Sequence, residues 1–342
     1  MEHIMFRSLV SSRKILAPLR KSLFVKPSLP VVISKKMVSG AATNEDLKSS
    51  KLFDVSGYTA VVTGGGSGIG LMIAQTLQTN GATVFIIGQR KEALDKVVEK
   101  YSTGPGKIIG LEGDINSKDG VQKLAQEVGS QSPSGVHLLV NNAGIARDDN
   151  TKYSNGQPDM KSAEAISEHL LKSDPAAWAA TFETNVSSQF FVSAAFLPLL
   201  SKTLPSTRKS TPNHPGFTPS IVNITSISGV MKGSSSGQFA YSASKAAFLH
   251  LTRMMATTFI ETGIRVNSIA PGVFPSEMTT GKSDDSMKSE MSSEASNPTG
   301  RYGHETDVGA CVLFLAGPAS GFLNGQVVYP DGGNILMSPA AT

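Results

Sequence analysis

Two clusters of residues in this chain have types and spacings that could do chemistry. The first is the run Thr63-Gly64-Gly65-Gly66-Ser67-Gly68-Ile69-Gly70, between the apolar run Tyr58–Thr63 and an amphipathic stretch from Ile69 to Leu77. Glycines at such a junction let the backbone approach a phosphate. The helix that follows offers unpaired N–H groups and a partial positive charge. The pattern is T-G-x-x-x-G-x-G rather than the widespread G-x-G-x-x-G, and strong secondary-structure signals on both sides argue against a flexible linker. The second cluster is Tyr241 and Lys245 in Tyr-Ser-Ala-Ser-Lys, which project from one face of a helical pattern. A phenol beside an ammonium is a pair that can exchange a proton. Spacing alone is weak support, because six tyrosines would produce this offset by chance about one time in three. Isolated, the pair would be a solvated helix face.

The surrounding pattern gives both clusters a scaffold. Asn80-Gly81 closes the helix after the glycine run, and Ala82–Ile87 reads as the next strand. Strand, glycine loop, helix and strand make a βαβ unit, which requires a parallel sheet. The alternation continues with a helix at Glu92–Tyr101, a strand at Lys107–Leu111, a helix at Gly120–Val128 and a strand at Val136–Val140. Later come a strand at Ser220–Ile224, a helix from Tyr241 to Thr262, a strand at Arg265–Ile269, a helix from Asp307 to Ala316 and a last strand at Val327–Tyr329. No composition break divides the series. It predicts a single α/β domain over residues 50–337, a doubly wound, Rossmann-like parallel sheet flanked by helices, with a basic tail at 1–49 and a short tail at 338–342. Three stretches look inserted: the polar Arg147–Asp174, the Pro/Ser/Thr-rich Lys202–Pro219, and Gly281–Gly300, which follows a strand end and could cover a ligand. The stripe Phe248, Leu249, Met254, Met255, Phe259 reads as core packing or a helix-to-helix subunit contact.

Composition narrows the function classes. With 39% hydrophobic and 17% charged residues over 342, the chain has a globular composition, and no apolar run approaches the ~18 residues of a membrane-spanning helix. Residues 1–36 hold eight basic residues and one acid, a net +7, so the remainder carries a net −3. Nucleic-acid binding by the body therefore loses its compositional support. The basic, serine-containing, acid-poor leader has the composition of a mitochondrial transit peptide, although Pro18 would break a long helix. Equally, it fits a disordered tail or upstream sequence ahead of a true start at Met37; the location is mitochondrial in the first case and cytoplasmic otherwise. Cys311 is the single cysteine, and the six histidines show no metal-ligand spacing, so no metal is expected.

Taken in order along the chain, these motifs resemble the classical short-chain dehydrogenase/reductase family. The glycine run is followed by Asn141-Asn142-Ala143-Gly144 after a strand, Asn185 in a predicted helix, Ser226 after a strand, then Tyr241 and Lys245. Arg265-Val266-Asn267, Pro271-Gly272 and Asp331-Gly332-Gly333 complete the series. The family serine usually lies where Ser228 stands, 13 residues before the tyrosine. Aligning the preceding strand and Gly229 instead selects Ser226, with two extra residues in the loop around Gly233–Gly237.

The resemblance implies Asn185, Ser226, Tyr241 and Lys245 as catalytic residues. It implies cofactor contacts from Gly64, Ser67, Gly68, Ile69, Gly70, Asp114, Ile115, Asn142, Ala143, Gly144, Tyr241, Lys245, Pro271, Gly272, Val273 and Ser276; Arg90 joins them as the arginine just after the second strand, one position beyond Gln89, where relatives that use NADP commonly carry it. Hydride transfer to a ketone leaves an alkoxide that needs a proton, and a free phenol with a pKa near ~10 is poorly matched to neutral pH. An ammonium ~5 Å away at an effective dielectric of ~20 would favour the phenolate by about 3 kcal/mol. Lys245 is expected to supply this and hold the nicotinamide ribose, Ser226 to bond the substrate oxygen, and Asn185 to hold a water that resupplies protons. Cofactor choice is read at the end of the second strand. Gly88 stands where relatives that use NAD carry an acid, and Arg90 and Lys91 follow, so NADP(H) is expected over NAD(H), with a preference of roughly 10- to 100-fold. The expected reaction is hydride transfer between NADP and a ketone or secondary alcohol of acyl, polyketide or other secondary-metabolite type. The partner is a small molecule and a homo-oligomer, dimer or tetramer, is implied. The alternative is a non-catalytic dinucleotide-binding sensor or scaffold on the same fold.

Overall fold

The computed structural model describes residues 42–147, 149–204 and 217–338. The basic leader and most of the Lys202–Pro219 stretch lie outside the described residues. After a single helical turn, α1 (Ser49–Leu52), strands and helices alternate: β1 (Thr59–Thr63), α2 (Gly68–Thr79), β2 (Thr83–Gly88), α3 (Lys91–Tyr101), β3 (Lys107–Glu112), α4 (Lys118–Gln131) and β4 (Leu138–Asn141). Then follow α5 (Ala163–Leu170), α6 (Pro175–Phe182), α7 (Ser188–Lys202), β5 (Ser220–Ile224), α8 (Phe239–Thr258), β6 (Arg265–Ile269), α9 (Glu277–Thr280), α10 (Glu305–Ala316) and β7 (Val327–Val328). All seven strands are parallel, in the order β3-β2-β1-β4-β5-β6-β7. This is the doubly wound α/β sheet expected from the βαβ pattern.

The strand sequences explain why both faces are covered. β1 is Thr-Ala-Val-Val-Thr and is buried along its whole length, as a central parallel strand must be. Ala60 and Val62 pack on one face with Leu71, Ile73 and Leu77 of α2, Leu94 and Val97 of α3, and Val308, Val312 and Leu315 of α10. Val61 points the other way, into a core of Val121, Leu124 and Val128 of α4, Phe196 and Leu200 of α7, and Phe248 and Met255 of α8. Each fully buried aliphatic or aromatic side chain of this kind contributes about 1.5–3 kcal/mol. The order of winding reverses between β1 and β4, whose carboxyl ends lie side by side, and such a switch point opens a crevice for a ligand.

Several elements differ from the sequence reading. The helix expected from Tyr241 to Thr262 starts two residues earlier and ends at Thr258, where Phe259 leaves helical geometry (φ −93, ψ 0) and a 3-10 turn, Ile260–Thr262, follows. In its stripe, Phe248, Leu249, Met255 and Phe259 are buried, whereas Met254 is exposed. The Arg147–Asp174 stretch is structured: it carries α5, and Thr151 and His169 are buried within it. Thr151 Oγ1 donates to Gly237 O (2.7 Å), the Tyr153 N–H donates to Ser236 O (2.9 Å), and His169 Nε2 bonds Thr151 O (3.0 Å). The stretch thus packs on the loop before Tyr241, where Ser235, Ser236 and Gly237 all have positive φ. Gly281–Gly300 runs along α3: Tyr101 donates its hydroxyl to Ser286 O (2.7 Å), and Met287 is buried in the core.

Candidate active site

A cavity of about 400 Å³ opens at the carboxyl ends of β1, β2, β4 and β5. Its floor is the glycine run. Gly64 has φ +66, and a Cβ there would lie 2.9 Å from Ala143 Cα. A Cβ on Gly70 would lie 2.1 Å from Gly64 O and 2.5 Å from Asn142 Nδ2. Only glycine allows the loop to fold this tightly over the start of α2, leaving the helix N-terminus bare toward the cavity. Asn142 fastens the loop to β4: its Nδ2 donates to Thr63 O (2.9 Å) and Gly64 O (3.1 Å), while Thr63 Oγ1 accepts from the N–H groups of Asn142 and Ala143. The Ser67 side chain does not cap α2, so its first N–H groups are left for a ligand, and this arrangement fits a pyrophosphate.

Tyr241, Lys245, Ser226 and Asn185 come together from three separate elements. Tyr241 and Lys245 lie on the first turns of α8, with Nζ 5.7 Å from the phenol ring centre. Ser226 follows β5 and places its hydroxyl near enough to the Tyr241 hydroxyl to favour the phenolate. Its Oγ also accepts from the Ser228 N–H (3.1 Å), so Ser228 supports Ser226 through its backbone. Asn185 lies in a π turn, Glu183–Ser187, between α6 and α7. Such widened turns recur at functional sites. Its Oδ1 accepts from Ile145 N–H (2.8 Å), and its Nδ2 donates to Ile145 O (2.9 Å) and Ser244 Oγ (3.0 Å). A Cβ on Gly144 would lie 3.2 Å from Asn185 Oδ1 and 3.3 Å from Lys245 Nζ, so both groups face that glycine.

The electrostatics differ from the sequence expectation. Lys245 is 3% exposed and donates to Ile224 O (3.0 Å). Burial lowers its ammonium from 10.5 to about 8. Burial also raises the Tyr241 phenol, with the nearby Ser226 hydroxyl opposing. The lowering expected from the nearby ammonium is therefore reversed, because desolvation of the phenolate outweighs its stabilisation. The phenol stays protonated at neutral pH, which is the form a proton donor needs.

Most of the expected cofactor residues line the cavity: Gly64, Ser67, Gly68, Ile69, Arg90, Ile115, Asn142, Ala143, Gly144 and Ser276, with Tyr241 and Lys245. The other expected residues are not among those that line it. Gly70 packs against Gly64, and Asp114 accepts from Gln89 Nε2 (2.8 Å). Pro271 O accepts from Ile227 N–H (3.1 Å), Gly272 packs against Asp331, and Val273 O accepts from Gly303 N–H (3.0 Å). Sequence reasoning missed Glu277. It lines the same cavity and pairs with Arg90 (2.8 Å), a contact between positions 187 apart that no local pattern announces.

A parallel doubly wound sheet with a glycine cradle at its switch point is an arrangement that binds dinucleotides. A family described as enoyl-(acyl carrier protein) reductase matches residues 64–334. The chain is 40% identical over 299 residues to the short-chain dehydrogenase/reductase PhomF of Diaporthe leptostromiformis, covering 86% of this chain and 97% of the relative. It is 35% identical to the rhamnolipids biosynthesis 3-oxoacyl-[acyl-carrier-protein] reductase of Pseudomonas aeruginosa, covering 82% and 97%. Among solved structures, the Pseudomonas aeruginosa RhlG/NADP active-site complex is similar with a TM-score of 0.65 and 33% identity, covering 82% of this chain and 98% of that one. The chain belongs to the short-chain dehydrogenase/reductase family. It is an oxidoreductase acting on CH–OH and C=O groups with a nicotinamide dinucleotide.

Proposed function

We propose that this protein is an NADP(H)-dependent ketone reductase working on acyl, polyketide or other secondary-metabolite ketones, with Tyr241 as proton donor. The observation that carries the reading is the Tyr241 hydroxyl at the cavity wall, with the Ser226 hydroxyl and the Lys245 ammonium alongside. The cofactor, when bound, supplies the hydride. Ser226 and Tyr241 then hold the ketone oxygen between two hydroxyl donors, which stabilises the charge that grows there, and the Tyr241 proton moves to that oxygen. Lys245 restores the proton and holds the ribose. The facing of Asn185 and Lys245 across Gly144 supports resupply through a water. Gly88, where a ribose-binding carboxylate would otherwise stand, and Arg90 at the cavity edge support NADP(H). The names of the relatives support the substrate class: one acts on 3-oxoacyl groups carried on a protein. Purified protein should oxidise NADPH with β-keto thioesters, in preference to aromatic ketones or steroids. No turnover with any ketone in such a panel, by a protein that binds NADPH, would refute the reading.

A further inference from the structure

The guanidinium that the sequence offers to a 2′-phosphate is already engaged. Arg90 Nη2 donates to Glu277 Oε2 (2.8 Å) and Nη1 donates to Oε1 (3.2 Å), a two-pronged contact, while Nη2 also reaches Ser67 Oγ (3.4 Å). That fork of paired N–H groups is the one a phosphate uses when arginine grips it. Glu277, Arg90, Ser67 and Ser276 all line the cavity that holds the glycine cradle.

We propose that Glu277 sets the balance between NADPH and NADH by competing with the cofactor's 2′-phosphate for the Arg90 guanidinium. The inference rests on the reading of Arg90 as the phosphate-recognising residue. A carboxylate on the fork must give up those donors, and it repels the incoming phosphate wherever it then stays nearby. Either effect weakens NADPH and spares NADH, which brings no phosphate to this point.

Glu277 is held where it can compete. It opens α9, whose turn is fixed by bonds between Ser276 and Thr279. Although burial favours protonating Glu277, bonds from Arg90, Ser283 and Ser67 prevail and keep the carboxyl ionised below its usual range. Behind it, the Gly281–Gly300 stretch is anchored by Tyr101 to Ser286 O and by buried Met287. Gly68, at the start of α2, approaches Ser276 so closely that a Cβ would lie 3.0 Å from the serine Cβ. The carboxylate thus belongs to a braced turn pressed against the phosphate loop. Because the Arg90 side chain is 59% exposed and that of Glu277 28%, solvent screens the pair and the competition is moderate.

The test is direct binding to the full chain, followed by fluorescence or calorimetry, of NADPH, NADH and the minimal probe 2′,5′-ADP. Glu277→Gln should tighten NADPH and 2′,5′-ADP about three- to tenfold and leave NADH within about twofold, with the effect shrinking as salt rises. Arg90→Ala should weaken NADPH about tenfold, and in that background Glu277→Gln should change NADPH binding much less. If Arg90→Ala weakens NADPH while Glu277→Gln leaves it unchanged, the competition is refuted and the Arg90 reading survives. If Arg90→Ala leaves NADPH binding unchanged, both fall. Weaker NADH binding by Glu277→Gln would also overturn the proposal, because it would show the carboxylate holding the ribose hydroxyls itself. Glu277→Ala, which removes the charge by a different side chain, must repeat the gain for NADPH.

Discussion

Replacing Lys245 by methionine should separate the needs of the reaction from those of the fold. The ammonium is buried, and its pKa falls from 10.5 in the free side chain to about 8 in the folded protein. At about 1.36 kcal/mol per unit, carrying the charge costs the folded state about 3 kcal/mol where both folded and unfolded chains are protonated, below about pH 8. As pH rises from about 8 to 10.5, the folded chain releases its proton while the unfolded chain keeps it. The cost therefore fades, to about 1.4 kcal/mol at pH 9.5. Methionine removes the charge and keeps the length of the chain, but it also removes the bond to Ile224 O (3.0 Å), a loss of about 1–2 kcal/mol. Lys245→Met should thus be more stable than the unmodified protein by about 1–2 kcal/mol at pH 6.5 and about equal to it at pH 9.5, by urea unfolding. Its turnover should fall by at least ~10²-fold at both pH values. A stability difference that does not change between pH 6.5 and 9.5 would refute the account of Lys245 as a buried, costly ammonium. Near-normal turnover would refute its part in catalysis.

Three further substitutions probe the rest of the site. Tyr241→Phe keeps the ring and removes the proton, so turnover should fall at least ~10²-fold while NADPH binding, measured by fluorescence titration, holds. Gly70→Ala brings a Cβ to 2.1 Å from Gly64 O, so the phosphate loop must shift; cofactor affinity should drop at least about tenfold with the far-ultraviolet spectrum unchanged. Gly237→Ala meets Thr151 O at 1.9 Å and a φ of +88, and should cost about 2–3 kcal/mol of stability. It should also raise substrate KM several-fold without changing the Kd for NADPH, because the strained loop precedes Tyr241 and lies away from the glycine cradle. An unchanged KM would remove the Arg147–Asp174 stretch from any part in shaping the substrate side.

The part of this protein legible along the chain is the part written in short-range spacing. Apolar strands, a glycine run before an amphipathic helix and Tyr241 four residues before Lys245 are local patterns, and each reads as one element with one facing direction. The parallel sheet follows because a βαβ unit admits only one pairing. Tertiary structure decided whatever depends on which distant segments touch. The count of residues before Tyr241 points to Ser228 and the strand alignment to Ser226; in the fold it is the Ser226 hydroxyl that acts on the Tyr241 phenol, while Ser228 donates its backbone N–H to Ser226. The sign of the Tyr241 shift needed the burial of the site, since a Coulomb argument from spacing alone omits desolvation. The Arg147–Asp174 stretch and the lengthened Gly233–Gly237 loop look like unrelated additions in the chain, yet Thr151 and Tyr153 join them in space. Glu277 had no signal at all, because a carboxylate 187 positions from Arg90 becomes its partner only when α9 folds back over the glycine loop. Periodicity encodes the elements, whereas the pairing of charges across a cleft is set by how the finished elements pack.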